Sequence, residues 1–306
     1  MTSLQDRIDR GDVIILDGGI GTEIQRQGVP MDDVAWCATA NKTHPDAVRK
    51  VHEDYIRAGA EVITANTFST ARHVLEVAGL GEETVAINRR AVELAREARD
   101  AAADGPVWIA GSLSPMSAEA SREHRPSAAT ARANFDEQAA ALAEAGAELL
   151  IAEMVMEVEY GGHFVAAAVA TGLPVWLGFS CRLGGGDGRV LMFPTSEGDV
   201  AFEDVIGPIT ALGGSVAGVM HSAPEDTQPA LKVLKRHWSG PLMAYAESGF
   251  FVMPDWQFVD VVSAEAYLDH ALDWVGTGVQ IVGGCCGIGP EHIRLLKERL
   301  PARIGG

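Results

Sequence analysis

A single-domain (β/α)8 barrel, spanning residues 1–306, is the fold this sequence predicts, and three observations predict it. Eight short apolar runs recur along the chain, separated by segments of helical pattern. A glycine stands shortly before seven of them, where a preceding helix would need a left-handed cap. A polar or thiol side chain follows each run. Buried parallel strands read as continuous apolar runs, and strand–helix alternation repeated eight times is the pattern of such a barrel. A doubly wound open sheet is the competing reading.

The runs, in order, are Val13–Leu16, Val62–Ala65, Val107–Ala110, Leu149–Ala152, Val175–Phe179, Val216–Met220, Leu242–Ala246 and Val279–Val282. The glycines are Gly59, Gly105, Gly146, Gly172, Gly214, Gly240 and Gly278. Between the first two runs, Pro45 suits an early helical turn, and Val48, Val51 and Tyr55 follow on one face. Residues 134–145, NFDEQAAALAEA, are strong helix formers throughout. Pro290 and Glu291 open the last helix with a proline and an acid at its positive end. Two long stretches lie outside this pattern. Residues 182–198, rich in glycine, and 248–262, with Phe250, Phe251 and Trp256, read as non-helical loops above the strands.

Composition excludes several classes. The chain is 47% hydrophobic with mean hydropathy +0.08, which suits a globular core. No apolar stretch is long enough to span a membrane. The opening MTSLQDRIDRGD is charged and lacks a signal peptide's apolar segment. Four cysteines are too few for a disulfide scaffold, so the cytoplasm is the expected compartment. A net charge of −18 repels phosphate backbones and argues against a nucleic-acid partner.

In a barrel, chemistry lies at the C-terminal ends of the strands. Those positions here carry Asp17, Asn66, Ser112, Glu153, Cys181, His221, Glu247 and the dipeptide Cys285-Cys286. The dipeptide sits in Gly283-Gly284-Cys285-Cys286-Gly287. Adjacent cysteines close a strained disulfide ring, yet as thiolates both can reach one Zn²⁺ where glycines allow a sharp turn. Cys181 and Cys37 read as buried packing thiols, and His44 and His52 as structural. Gly18-Gly19-Ile20-Gly21 is no dinucleotide loop, because Ile24 stands where the last glycine belongs.

In series, these segments resemble the homocysteine S-methyltransferase family. The resemblance runs through residues 16–23 (LDGGIGTE), 52–60, 64–68 (TANTF), 111–115 (GSLSP), 148–153 (ELLIAE) and 283–293 (GGCCGIGPEHI). It implies a zinc-dependent S-methyltransferase. A methyl group passes from a sulfonium or quaternary ammonium donor, such as S-methylmethionine, S-adenosylmethionine or betaine, to homocysteine or a related thiol. It implies Cys285 and Cys286 as zinc ligands, and Asp17 and Glu153 as holders of the substrate ammonium. Backbone at Gly18, Gly19 and Ser112, with Asn66 beside them, would meet the substrate's other polar groups. The implied partners are small molecules, and barrels of this kind often form homo-oligomers.

Two departures stand out. The family has Gly-Val-Asn-Cys after strand six, where this chain reads Gly218-Val219-Met220-His221; it has Asn-Ser-Gly after strand seven, where this chain reads Glu247-Ser248-Gly249. Imidazole is a good zinc ligand, so His221 is the candidate third ligand. Zinc held by three thiolates is singly negative, whereas two thiolates and a neutral imidazole leave it neutral. Glu247 is placed to pair with a cationic substrate, to orient His221, or to reach the metal. Two other functions stay open: a repurposed barrel whose Cys2His zinc activates water for hydrolysis, and a metal-free barrel that binds a small amino acid.

Overall fold

The computed structural model describes residues 3–115, 126–184, 186, 188–194, 198–252 and 257–305. Eight parallel strands form its centre. Numbered in chain order, they are β1 (Ile14–Ile15), β2 (Val62–Thr64), β3 (Trp108–Leu113), β4 (Leu149–Val155), β5 (Val175–Phe179), β8 (Val216–Met220), β9 (Leu242–Tyr245) and β12 (Val279–Val282). Hydrogen bonding runs β1-β12-β9-β8-β5-β4-β3-β2. A parallel bridge from Leu16 to Val62 brings β1 back to β2, and Asp17 N donates to Val62 O at 3.0 Å. The sheet thus closes on itself, which excludes the doubly wound alternative.

Alternation along the strands divides the core into two layers. Ile14, Leu16, Val62, Ala110, Leu149, Ile151, Trp176, Met243 and Ile281 fill the barrel interior. Their sequence neighbours, such as Ile15, Ile63, Ile109, Leu150 and Leu177, face the surrounding helices. The strands therefore read as unbroken apolar runs because both of their faces are buried.

The helices follow the expected signals. Pro45–Ala58 begins with proline, buries Val48, Val51 and Tyr55, and ends at Gly59 with φ of 106°. Ala128–Ala145 starts at Ser127, whose side chain accepts from Thr130 N, and ends at left-handed Gly146. Pro290–Arg299 carries Glu291 in its first turn. Three expected caps differ: Gly214 lies beyond the end of its helix, which is capped by Ala211, and Gly105 and Gly240 do not adopt positive φ. The helices before the latter two end at Ala103 and Trp238 in extended conformation, so the chain leaves without a left-handed turn.

The two stretches expected as loops each contain an antiparallel hairpin. β6 (Cys181–Leu183) pairs with β7 (Val190–Met192), and β10 (Phe250–Val252) pairs with β11 (Gln257–Val259). Trp256 lies outside the described residues. Both hairpins rise from the C-terminal ends of strands, on the side where the candidate residues gather.

Gly218 stands where the barrel interior leaves no room for a side chain. A Cβ there would overlap the carbonyl oxygen and the side chain of Met243. Gly218→Ala is expected to destabilise the fold by about 1–3 kcal/mol, because overpacking in a closed core has no room to relax. Urea unfolding checks this, and unchanged stability would contradict the packing described.

Candidate metal centre

Three neighbouring strand ends build the centre. Beyond the regular strands, backbone hydrogen bonds continue across the rim. His221 N donates to Tyr245 O (3.3 Å), and Glu247 N donates to Ser222 O (3.0 Å). Gly283 N donates to Ala244 O (3.1 Å), Cys285 N to Ala246 O (2.9 Å), and Ser248 N to Cys286 O (3.0 Å). The ends of β8, β9 and β12 are thereby locked in register. That register brings together residues 64 positions apart in sequence: Cys285 Sγ lies 3.5 Å from His221 Nδ1.

The cysteine turn is braced from outside the barrel. The Tyr267 hydroxyl donates to Gly283 O (2.7 Å) and accepts from Ala246 N (3.1 Å). The Tyr55 hydroxyl donates to Ile288 O (3.0 Å). Gly18 and Gly19 let the first strand's loop lie directly beneath the turn: Gly19 N donates to Ile288 O at 3.0 Å. A Cβ on Gly19 would meet the Cys285 carbonyl, and one on Gly18 would overlap the Ile288 carbonyl. These two glycines, expected beside the substrate, are thus needed first for this close approach.

One donor atom from each of His221, Cys285 and Cys286 lies within 4.8 Å of the others. Both thiols are free. With zinc–sulfur and zinc–nitrogen bonds of about 2.3 and 2.0–2.1 Å, ligand atoms of one tetrahedral ion stand roughly 3.5–4 Å apart. The set is soft, converging and closely spaced, so the residues present fit a zinc ion. His221 has φ of 43°, a left-handed backbone conformation that histidine tolerates better than most residues. Its Nδ1 also lies 2.8 Å from Glu247 Oε2. Burial draws the His221 pKa down, but the Glu247 carboxylate and Cys285 outweigh it and leave it well above the ordinary imidazole value. The Cys286 thiol and burial push Cys285 up, against the pull of His221.

Two carboxylates lie deeper in the mouth. Asp17 is 2% exposed and accepts from Thr64 N (2.6 Å) and Thr64 Oγ1 (3.0 Å). Burial pushes its pKa well above the usual carboxylate range, and Glu153 pushes the same way. Glu153 accepts from the Ser112 hydroxyl and, at 3.1 Å, from the Tyr245 hydroxyl. Burial raises its pKa as well, despite those two donors. Phe68, Met156 and Phe193 pack partly buried at the edge of the interior cluster. The Phe193 ring stands 5.3 Å from the His221 ring.

Other candidates settle elsewhere. Asn66 donates to Cys37 O (2.9 Å) and Asn41 Oδ1 (3.1 Å). It accepts from the Cys37 thiol at 3.0 Å. Its amide is committed to the neighbouring loop, and Cys37 does more than pack. Cys181 is buried in β6, its N–H held by Ser222 Oγ at 2.8 Å, and it is not part of the thiol–imidazole cluster. His52 is fully buried on its helix, with its pKa lowered to about 4 by burial; His44 stands at that helix's N-cap.

Sequence reasoning passed over three residues here. Thr64 and Tyr245 hold the two carboxylates, and each sits inside an apolar run where it reads as core. Met220 takes hydrogen bonds at its sulfur from Met154 N (3.2 Å) and Ser180 Oγ (3.3 Å). Its signal was visible, since Met220 is itself a departure in the segment that also carries His221.

A closed parallel barrel with functional groups crowded at the C-terminal mouth is the architecture of a barrel enzyme. The chain belongs to the homocysteine S-methyltransferase family, which it matches over residues 14–300, and it is a methyltransferase. It is 30% identical over 318 residues to the homocysteine S-methyltransferase of Escherichia coli (strain K12), covering 97% of this chain and 98% of that one. It is 29% identical over 322 residues to betaine–homocysteine S-methyltransferase 1 of Danio rerio, covering 98% of this chain and 76% of that protein. The metallated crystal form of the Escherichia coli homocysteine methyltransferase MmuM superposes with a TM-score of 0.79 at 26% identity, over 97% of this chain and 99% of that one.

The buried acids give a signed pH prediction. A carboxyl whose folded pKa is raised stabilises the fold below its unfolded value, here 4.5 for Glu153, and that contribution is lost as pH rises through the folded value. Glu153→Gln does not titrate. Its stability relative to wild type is therefore expected to improve steadily from about pH 4 toward neutrality. Urea unfolding across pH measures this, and a difference independent of pH would refute the assignment.

Proposed function

We propose that this chain is a zinc-dependent S-methyltransferase acting on homocysteine or a related thiol, with a sulfonium or quaternary ammonium compound as donor. The observation that carries the proposal is the convergence of the His221, Cys285 and Cys286 donor atoms within 4.8 Å, in a member of this family. These three residues would hold the ion. A bound Zn²⁺ supplies one thing: it takes an acceptor thiol as thiolate at neutral pH, where a free thiol is mostly protonated.

The remaining work falls to the protein's own side chains. Asp17 and Glu153 form an acidic floor for an amino-acid ammonium group, the charge for which two carboxylates in a buried mouth are suited. Their raised pKa values mean that each binds its proton tightly while no cation faces it. Thr64, Ser112 and Tyr245 fix the carboxylate oxygens so that they need not reorganise when the acceptor arrives. Phe68, Met156 and Phe193 supply apolar walls that keep water from the sulfur, and a positively charged donor is stabilised over aromatic faces. The active centre thus contributes alignment and desolvation rather than proton transfer to the methyl group.

The test is direct. Purified protein is incubated with homocysteine and, in turn, S-methylmethionine, S-adenosylmethionine and betaine, and methionine is followed by mass spectrometry. Methionine is expected with at least one donor. Cys285→Ser and Cys286→Ser are each expected to abolish both product and tight zinc binding. Methionine formed at wild-type rate by either variant would sink the proposal.

A further inference from the structure

Met220 does not pack as an ordinary core methionine. Pairing of β4 with β5 passes from Ala152–Leu177 to Val155–Phe179, so three steps along β4 are matched by two along β5. The extra residue makes a bulge, and Glu153 and Met154 lie within it. Met154 has φ of 52°, in the left-handed region, and is 3% exposed. A bulge beside a site re-aims the side chain it carries. It also takes a backbone amide out of the regular ladder, and a buried amide needs an acceptor. Here the acceptor is a thioether: Met154 N donates to Met220 Sδ at 3.2 Å.

The reach is built into the strand between. Met220 ends β8, Glu153 lies on β4, and β5 runs between those two strands. A Cβ on Gly178 of β5 would stand 2.8 Å from Met220 Cγ and 2.8 Å from the Tyr245 hydroxyl. Both side chains therefore pass over Gly178 to reach β4. The Tyr245 hydroxyl donates to the Glu153 carboxylate at 3.1 Å, and Met220 takes the amide of the next residue. Ser180 Oγ donates to the same sulfur at 3.3 Å and holds the thioether from the β5 side. Methionine suits this task, since its long unbranched stem fills the interior while its sulfur still accepts a hydrogen bond. The family's Gly-Val-Asn-Cys has asparagine at this position, so the thioether belongs to this chain's departure from the pattern.

We propose that Met220 is a positioning residue for Glu153: its sulfur captures the bulge amide and so aims the carboxylate into the mouth, toward an acceptor's ammonium group. This rests on the acceptor reading above and adds to it a residue that acts through another. Ser112 and Tyr245 fix the carboxylate oxygens, whereas Met220 fixes the backbone that carries them. Removing the sulfur leaves the bulge amide buried without a partner, and the bulge then relaxes and carries Glu153 with it.

Two variants read this role, each checked for folding by circular dichroism. Met220→Leu keeps the volume and removes the acceptor; Met220→Gln keeps the length and restores one. Hydrogen exchange at the Met154 amide is followed by NMR on protein labelled in its methionine amides. That amide is expected to exchange about tenfold faster in Met220→Leu and to return toward the wild-type rate in Met220→Gln. In assays of methionine formation, Met220→Leu is expected to raise the homocysteine KM by roughly tenfold with kcat within about threefold of wild type, because a misaimed carboxylate weakens ammonium binding in ground and transition states alike. Met220→Gln is expected to recover most of that loss. Inhibition by the des-amino analogue of homocysteine, which has no ammonium group, is expected to be equal in wild type and Met220→Leu. Zinc content is measured alongside, because His221 follows Met220 directly. An unchanged exchange rate, an unchanged KM, weaker inhibition by the des-amino analogue, or loss of zinc in Met220→Leu each overturns the role of Met220. Absence of methionine from wild type with every donor overturns the acceptor reading instead. The exchange rates still decide whether Met220 holds the bulge: a faster rate in Met220→Leu supports it, and an unchanged rate refutes it.

Discussion

The site depends on one constraint, the continuation of the backbone ladder past the ends of β8, β9 and β12. Regular strand pairing stops at Met220, Tyr245 and Val282, but the hydrogen bonds do not. They run on through His221–Tyr245, Ser222–Glu247, Ala246–Cys285 and Cys286–Ser248. Without that extension the thiols and the imidazole would sit on three separate loops, and the entropy of bringing three loops together would oppose every contact between them. With it, the donors are placed by the same interactions that close the barrel. The tyrosines at 55 and 267 add bonds from the helices, so the cysteine turn is held from both sides.

The arrangement carries a cost that the rest of the fold offsets. Two carboxylates, the Cys285 thiol and an imidazole are packed into a mouth where burial opposes charge on each. Asp17 and Glu153 answer with raised pKa values and with hydroxyl and amide donors on their oxygens. A large apolar interior beneath them, with Trp176 and Met243 among its members, supplies the stabilisation that makes this tolerable. Stability yields to function at the mouth rather than through the barrel.

Much of this was legible in the sequence, for reasons that differ by residue. The apolar runs were readable because a barrel buries both faces of each strand; their number favoured a barrel, and the Leu16–Val62 bridge excluded the doubly wound sheet. Cys285 and Cys286 announced themselves because adjacent thiols between glycines have few other uses. His221 was readable only against the family's pattern. The pairing of Glu247 with His221 was one of three readings, and only the rim register distinguishes it. Thr64 and Tyr245 were hidden, since a hydroxyl inside an apolar run gives no hint of which carboxylate it will face. The hairpins at 181–192 and 250–259 were missed as strands because glycines and short lengths look like loop. Gly105 and Gly240 misled in the other direction, as glycines near helix ends that do not act as left-handed caps.

The central claim is that the rim ladder makes His221, Cys285 and Cys286 one metal site. X-ray absorption at the zinc edge, on protein purified without chelators or a histidine tag, reads the donors themselves. The account predicts two sulfurs at about 2.3 Å and one imidazole nitrogen at about 2.0–2.1 Å in the first shell. A shell of oxygen and nitrogen alone, or of three sulfurs with no imidazole in the acceptor-free protein, would contradict it.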